Sequence, residues 1–125
     1  MIRLAAEPPQ TIHLSLPPAV LGQPTVLTCS WPSSLDPVSE VRFVHADTRQ
    51  VVYKFYRNST LNQTFGVLAG STARVAANEV VIYVPETRTE HLASYRCLAW
   101  DSHYVVHTSA TVRLRLREAG ESELQ

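Results

Sequence analysis

Residues 91–100 read HLASYRCLAW, and this stretch carries the strongest indication of the fold. Its second half alternates, so that Tyr95 and Cys97 lie on one side of an extended chain and the residues between them on the other. The other cysteine ends residues 21–29, LGQPTVLTC, in which a turn leads into a second alternating segment. Cys29 and Cys97 therefore both occupy the inward parity of predicted strands.

Alternation or β-rich composition continues along most of the chain. Helical periodicity is almost absent, and eight prolines interrupt the sequence. The predicted strands lie near Ile12–Leu16, Thr25–Ser30, Val41–His45, Gln50–Tyr56, Glu79–Val84, Tyr95–Trp100 and Val106–Leu116. The last is the longest, with Ala110, Val112, Leu114 and Leu116 expected on one side. The irregular region from Asn58 to Asn78 is expected to hold one or two edge strands. At least seven short strands separated by turns predict an all-β sandwich.

These segments resemble the immunoglobulin superfamily over residues 10–117. The resemblance implies a Greek-key β-sandwich of two antiparallel sheets, joined by a disulfide between Cys29 and Cys97. It also implies a tyrosine corner at Tyr95, two residues before the second cysteine. The long spacing between the cysteines suggests additional strands in the middle of the domain.

Two positions depart from the family pattern. Phe43 stands where a tryptophan usually packs on the disulfide, and we expect it to do so together with Leu27, Val84, Tyr95 and Val112. Non-tryptophan residues there are found in leukocyte and Fc-receptor-like domains, which this chain resembles along with adhesion receptors. His91 replaces the usual acidic residue six positions before the second cysteine, so the variable, intermediate and constant subsets all stay open.

The disulfide and two glycosylation sequons indicate an extracellular protein, secreted or part of a cell-surface ectodomain. The sequons begin at Asn58 and Asn62, and both are expected on a solvent-facing edge away from the ligand surface. The N-terminus lacks a signal peptide. We therefore interpret the chain as an ectodomain fragment: a flexible segment over 1–9, the domain over 10–117, and the start of a linker or stalk over 118–125.

Charge and motif content argue against several other functions. The 11 basic and 11 acidic residues cancel, which gives no footprint for nucleic acid, and no apolar run is long enough to insert in a membrane. His103 and His107 lie near Asp101, but on a strand the two histidines would be about 13 Å apart, too far for one metal ion. Asp101-Ser102-His103 contains the three residue types of a hydrolytic triad. Adjacent residues on an extended chain point to opposite faces, however, and so are poorly placed to act as nucleophile, base and orienting group. We predict no enzyme, no metal and no cofactor.

We therefore predict a recognition module that binds a protein ligand or receptor; the alternative is a structural spacer within a larger ectodomain. Inward parity assigns Phe43, Cys97 and Val106 to the core, so their neighbours should form an exposed face available to a partner or to self-association. The predicted ligand-binding residues are Arg42, Val44, Arg96, Leu98, Trp100, His103, Tyr104, Val105 and His107. The loop over Trp31–Pro37 is the alternative ligand surface.

Overall fold

The computed structural model describes residues 12–118, which form two antiparallel β-sheets packed face to face. The strands are β1 (His13–Ser15), β2 (Thr25–Ser30), β3 (Glu40–His45), β4 (Gln50–Tyr56), β5 (Asn62–Thr64), β6 (Thr72–Ala76), β7 (Glu79–Val84), β8 (Ser94–Trp100), β9 (Val106–Thr108) and β10 (Val112–Arg113). The segments assigned to residues 1–9 and to most of 118–125 lie outside the described residues. The helical turns within the described range are three residues long, and none could cross a membrane.

The strand order places neighbours that are distant in sequence side by side. The first sheet has the order β1-β2-β7-β6, and the second has the order β10-β8-β3-β4-β5, with β9 also paired to β8. The predicted edge strands in the irregular region are β5 and β6, each at the edge of a different sheet. Together with β4, β5 supplies the additional strands that the cysteine spacing suggested.

The core lies between the sheets and is centred on the predicted disulfide. Cys29 on β2 and Cys97 on β8 are bonded, with their Cα atoms 6.4 Å apart, so the bridge joins one sheet to the other as predicted. Phe43 lies opposite Cys97 in the β3–β8 register, is fully buried, and makes an edge-on ring contact with Tyr53 at 5.6 Å. Of the side chains expected around Phe43, Val112 alone is only partly buried.

The tyrosine corner is present. The buried Tyr95 hydroxyl donates to the backbone carbonyl of His91 at 2.6 Å, and burial raises the pKa of this phenol to about 12. His91, the residue that departs from the family pattern, accepts the backbone N–H of Arg88 through its Nδ1 at 2.8 Å. This buried imidazole closes the turn before β8, while the guanidinium of Arg88 is 65% exposed beside Glu86.

The C-terminal strand differs from its prediction. Val106–Leu116 is not one strand but two, β9 and β10, because the buried Ser109 interrupts the backbone pairing. The Ser109 hydroxyl accepts the N–H of Cys97 at 2.9 Å, taking the place of a backbone carbonyl. The interruption shifts the alternation, so Ala110 is exposed, whereas Val112 and Leu114 keep the predicted inward parity. Leu116, beyond the end of β10, is 43% exposed.

The segment that follows β1 reaches the C-terminal segment next to the second sheet. β1 pairs antiparallel with β2 in the first sheet, but Ala19 then forms a parallel bridge with Leu116, beyond the end of β10. Ala19 donates its N–H to the carbonyl of Arg115 at 2.8 Å and accepts the N–H of Arg117 at 2.7 Å. The two terminal segments are thereby held together along the side of the sandwich.

Candidate binding face

The outward face of the second sheet, called here the outward face, carries the side chains that alternate with the core residues of β3 and β8. The register pairs Val44 with Arg96 and Arg42 with Leu98, and all four side chains are half-buried. Trp100 is half-buried next to them on β8. The structure therefore brings together five of the predicted ligand-binding residues as one cross-strand group.

A buried carboxylate at the end of this face was missed by the sequence analysis. Glu40, at the start of β3, has the same parity as Arg42, yet its side chain is 1% exposed. Its two oxygens accept hydrogen bonds from Arg42 Nε and, at 2.5 Å, from the hydroxyl of Tyr104. Burial of a charged group is costly unless it is paired and hydrogen-bonded, and both conditions are met here. The sequence could have indicated this pair, because Glu40 is an acidic residue two positions before Arg42 and therefore lies on the same side of the strand.

Arg42 connects the carboxylate to the aromatic side chains of the face. Its guanidinium carbon lies 5.0 Å from the centre of the Trp100 ring, within the range of a cation–π contact, and a terminal nitrogen is 3.4 Å from the Tyr56 hydroxyl. Burial opposes the charge, but hydrogen bonding and attraction to Glu40 raise the pKa of Arg42 overall. Arg42 therefore remains a fixed cation beneath the Trp100 ring.

Tyr104 extends this group from the tip of the β8–β9 hairpin. Its ring is 6.1 Å from that of Trp100 and inclined by 31°, and the residue is 61% exposed. The hydrogen bond to Glu40 raises the pKa of the Tyr104 phenol, which keeps it a donor at neutral pH. Its backbone has φ of 61°, in the left-handed region. An exposed aromatic residue is thus held in one place by a buried partner.

Asp101 organises the rest of the hairpin. One carboxylate oxygen accepts the backbone N–H groups of His103 and Val105, each at 2.9 Å, and the other lies 3.0 Å from Nε2 of His107. The hydrogen bond with His107, followed by that with the Val105 N–H, lowers the pKa of Asp101. His103 is exposed, and Asp101 engages its backbone and not its ring. Residues 12–118 hold no group of three histidine, cysteine or acidic side chains placed to bind a metal.

The register of β9 reverses the predicted parity at two positions. Val106 pairs with Trp100 and His107 pairs with Ala99, which is a core residue. Val106 is therefore not in the core but lies on the outward face, 44% exposed, whereas His107 is on the opposite side of the strand. The prediction failed because it extended the alternation of Val112 back through Val106, whereas the register against β8 shifts by one residue between Thr108 and Val112. Val105, expected on this strand and facing solvent, lies before β9 in the hairpin and is 53% exposed.

The comparisons with known proteins identify the fold. No protein-family model matches the chain, and no curated protein matches it. Among solved structures, the chain is similar to a chain in the crystal structure of the ZIG-8–RIG-5 IG1–IG1 heterodimer, monoclinic form. The sequence identity is 22% and the TM-score is 0.57. The match covers 94% of this chain and 90% of the other. The chain is an immunoglobulin-like domain. The disulfide between sheets and the tyrosine corner agree with that assignment.

The two sequon asparagines of this immunoglobulin-like domain have different surroundings. Asn58 is exposed and lines a groove of about 260 Å³ together with Glu40, Tyr56 and Tyr104, so it adjoins the outward face instead of standing apart from it as expected. Asn62 is on β5, where its Oδ1 accepts the Tyr53 hydroxyl at 2.7 Å and its Nδ2 donates to the carbonyl of Ala73 at 3.1 Å. Asn62 thus fastens the edges of the two sheets.

The alternative ligand loop of the immunoglobulin-like domain turns its apolar side chains inward. Trp31, Leu35 and Val38 are all buried, and the Trp31 indole donates to Asp36 at 2.8 Å. The outer side of the first sheet exposes Val26 and Tyr83, which are paired in the β2–β7 register. Within residues 12–118, the side chains around these two, Thr72 and Arg74 included, supply no buried carboxylate comparable to Glu40. The outward face of the second sheet is therefore the better-organised surface.

Proposed function

We propose that this domain is an extracellular protein-recognition module, part of a receptor or adhesion protein, and that it binds a protein partner through the outward face. The observation that carries the proposal is the ordered group of Glu40, Arg42, Trp100 and Tyr104. Aromatic residues and arginine around an apolar centre are enriched at protein interfaces and among their energetic hot spots. Here Val44, Leu98 and Val106 supply the apolar centre next to that group.

Preorganisation favours binding. An exposed tyrosine at a loop tip normally loses conformational entropy when it is ordered by a partner. Tyr104 is already fixed by its hydrogen bond to Glu40, and Trp100 by its contact with the Arg42 guanidinium. A spacer needs neither feature, since a buried carboxylate on an otherwise solvent-facing side has a desolvation cost. Pairing of two immunoglobulin domains, as in the similar ZIG-8–RIG-5 IG1–IG1 heterodimer, is the kind of contact proposed.

The experiment uses the glycosylated domain as a tagged Fc fusion on an array of purified receptor ectodomains. We expect a specific protein partner, and we expect Arg96→Glu together with Leu98→Asp to abolish binding while circular dichroism is unchanged. Arg74→Glu with Val81→Asp is the matched control, because it makes the same two kinds of substitution on neighbouring residues of the outer side of the first sheet, where Arg74 and Val81 are register partners. Binding that survives the first pair of changes undiminished refutes the proposed face, and a domain without any partner favours the spacer alternative.

A further inference from the structure

The charges of the two sheets are distributed unequally. The strands of the first sheet contain one basic residue, Arg74, and one acidic residue, Glu79. The strands of the second sheet contain four basic residues and one acidic residue, a formal charge of four minus one, or +3. The basic residues are Arg42, Lys54, Arg96 and Arg113, and the acidic residue is Glu40. A chain with 11 basic and 11 acidic residues thus concentrates positive charge on one side.

All four cations lie on the outward side of that sheet. Arg42 and Lys54 are register partners, Arg96 pairs with Val44, and Arg113 pairs with Ser94, which has the parity of Arg96. The one carboxylate is buried under Arg42 and Tyr104 and cannot meet a partner. The outward face therefore presents an apolar centre surrounded by cations, with no exposed acidic residue on its strands within 12–118.

Three of the four cations lack an anionic partner among residues 12–118. The ion pairs within residues 12–118 do not include Lys54, Arg96 or Arg113. Lys54 lies over the Tyr56 ring at 5.3 Å, and Arg113 is 3.5 Å from the Ser94 hydroxyl. Arg96 has a buried Nε without any hydrogen-bond partner in the described residues. An arginine without an anionic partner in its own domain is suited to a carboxylate of another protein, which the guanidinium binds through charge-assisted and often bidentate hydrogen bonds.

We infer that the partner is a different protein, whose binding surface sets carboxylates around an apolar centre, and not a second copy of this chain. The inference rests on the proposed function and adds the chemistry of the partner. A two-fold dimer joins the same patch on both subunits, so the cations of one copy would oppose those of the other. Like charges brought together across an interface cost free energy and select against that partner. A sulfated polysaccharide would satisfy the cations but not Val44, Leu98 and Val106.

The test uses a charge-reversed copy of the domain as the acidic partner. Lys54→Glu with Arg96→Glu keeps the apolar centre and replaces two of its four cations with carboxylates, which takes the formal charge of the strands from four minus one, +3, to two minus three, −1. By sedimentation velocity we expect the wild type alone and the reversed copy alone to be monomeric, and an equimolar mixture to associate at low salt. The association should weaken about tenfold or more between roughly 0.01 M and 1 M salt, over which the screening length falls from about 30 Å to about 3 Å.

Two control variants separate the possible results. A copy reversed on other surfaces, Arg74→Glu with Arg88→Glu, should not associate with the wild type, and adding Leu98→Asp to the reversed copy should abolish the association. If the wild type forms a dimer and Leu98→Asp makes it monomeric, the inference is overturned but the proposed face is supported. If the mixture stays monomeric, the inference is overturned and the proposed function is unaffected. The inference would also be overturned if the wild type binds heparin, and if substitution of Lys54 and Arg96 abolishes that binding while Leu98→Asp does not. That result would favour a polysaccharide as the partner. The array experiment tests the proposed function independently.

Discussion

Removing the hydroxyl of Tyr95 tests how much the tyrosine corner contributes to stability. Tyr95→Phe leaves the ring and its packing in place, so it opens no cavity and removes a single hydrogen bond. The acceptor, the carbonyl of the buried His91, lies in a buried environment and loses this 2.6 Å partner. A buried polar group left unsatisfied costs about 1–3 kcal/mol, and we expect the free energy of unfolding to fall by that amount.

Tyr53→Phe is the matched control. The Tyr53 hydroxyl also belongs to a fully buried ring, but it donates to Asn62, whose side chain is exposed and can be solvated by water. Its loss should therefore cost only about 0.5–1.5 kcal/mol, the usual net value of one hydrogen bond. Urea denaturation should show a lower midpoint and an unchanged m-value for both variants. A smaller loss for Tyr95→Phe than for Tyr53→Phe would refute the reasoning.

The pH dependence of stability provides a second measurement on the same residue. Burial raises the pKa of Tyr95 to about 12, whereas an unfolded tyrosine titrates near 10. Because the folded-state pKa is the higher one, the contribution is complete below about pH 10 and is lost as the pH rises towards 12. The stability difference between the wild type and Tyr95→Phe should therefore narrow over this range. A difference that stays constant would show that Tyr95 ionises equally easily in both states.

Four other predictions concern the core and the sequons. Phe43→Ala should lower the free energy of unfolding by about 3–5 kcal/mol, because the ring is fully buried opposite Cys97, and an unchanged melting temperature would contradict this. Cys97→Ala should cost about 2–5 kcal/mol, and non-reducing peptide mapping of the wild type should recover the linked Cys29 and Cys97 peptides. In mammalian cells we expect glycan at Asn58, at Asn62 or at both, detected as a mass loss on amidase digestion. Independently of glycan, Asn62→Ala should destabilise the unglycosylated domain more than Asn58→Ala, because only Asn62 bonds to Tyr53 and Ala73.

The fold was predictable because its determinants lie at fixed spacing within single strands. Parity and local spacing place Cys29, Tyr95 and Cys97 on predicted strands. The resemblance to the immunoglobulin superfamily implies the disulfide and the tyrosine corner, and the structure confirms both. The phase of β9 was not predictable from the alternation of Val112 and Leu114, because the register against β8 shifts by one residue between Thr108 and Val112. The break at Ser109 depends on a side chain that replaces a backbone acceptor, which alternation does not reveal.

The candidate face was predicted in part for the same reason. Arg42 and Leu98 are on it because both belong to long regular strands whose alternation is unbroken. Glu40 was missed because its burial depends on Tyr104, which lies 64 positions away in the sequence. Contacts between residues so far apart in the sequence depend on which strands pair in the fold. The sequence alone does not show that pairing, and shows only that Glu40 and Arg42 share a parity.

The parallel bridge between Ala19 and Leu116 has a mechanical consequence. The segments around these residues run in the same direction. When the two ends of the domain are pulled apart, the segments are therefore pulled in opposite directions along their length. The two backbone hydrogen bonds of Ala19 are then loaded in shear and must break together, whereas hydrogen bonds peeled from one end break one at a time. We expect single-molecule stretching from the termini to require a higher rupture force than stretching applied across β5 and β6, at the free sheet edges. Equal forces in the two geometries would show that this bridge carries no load.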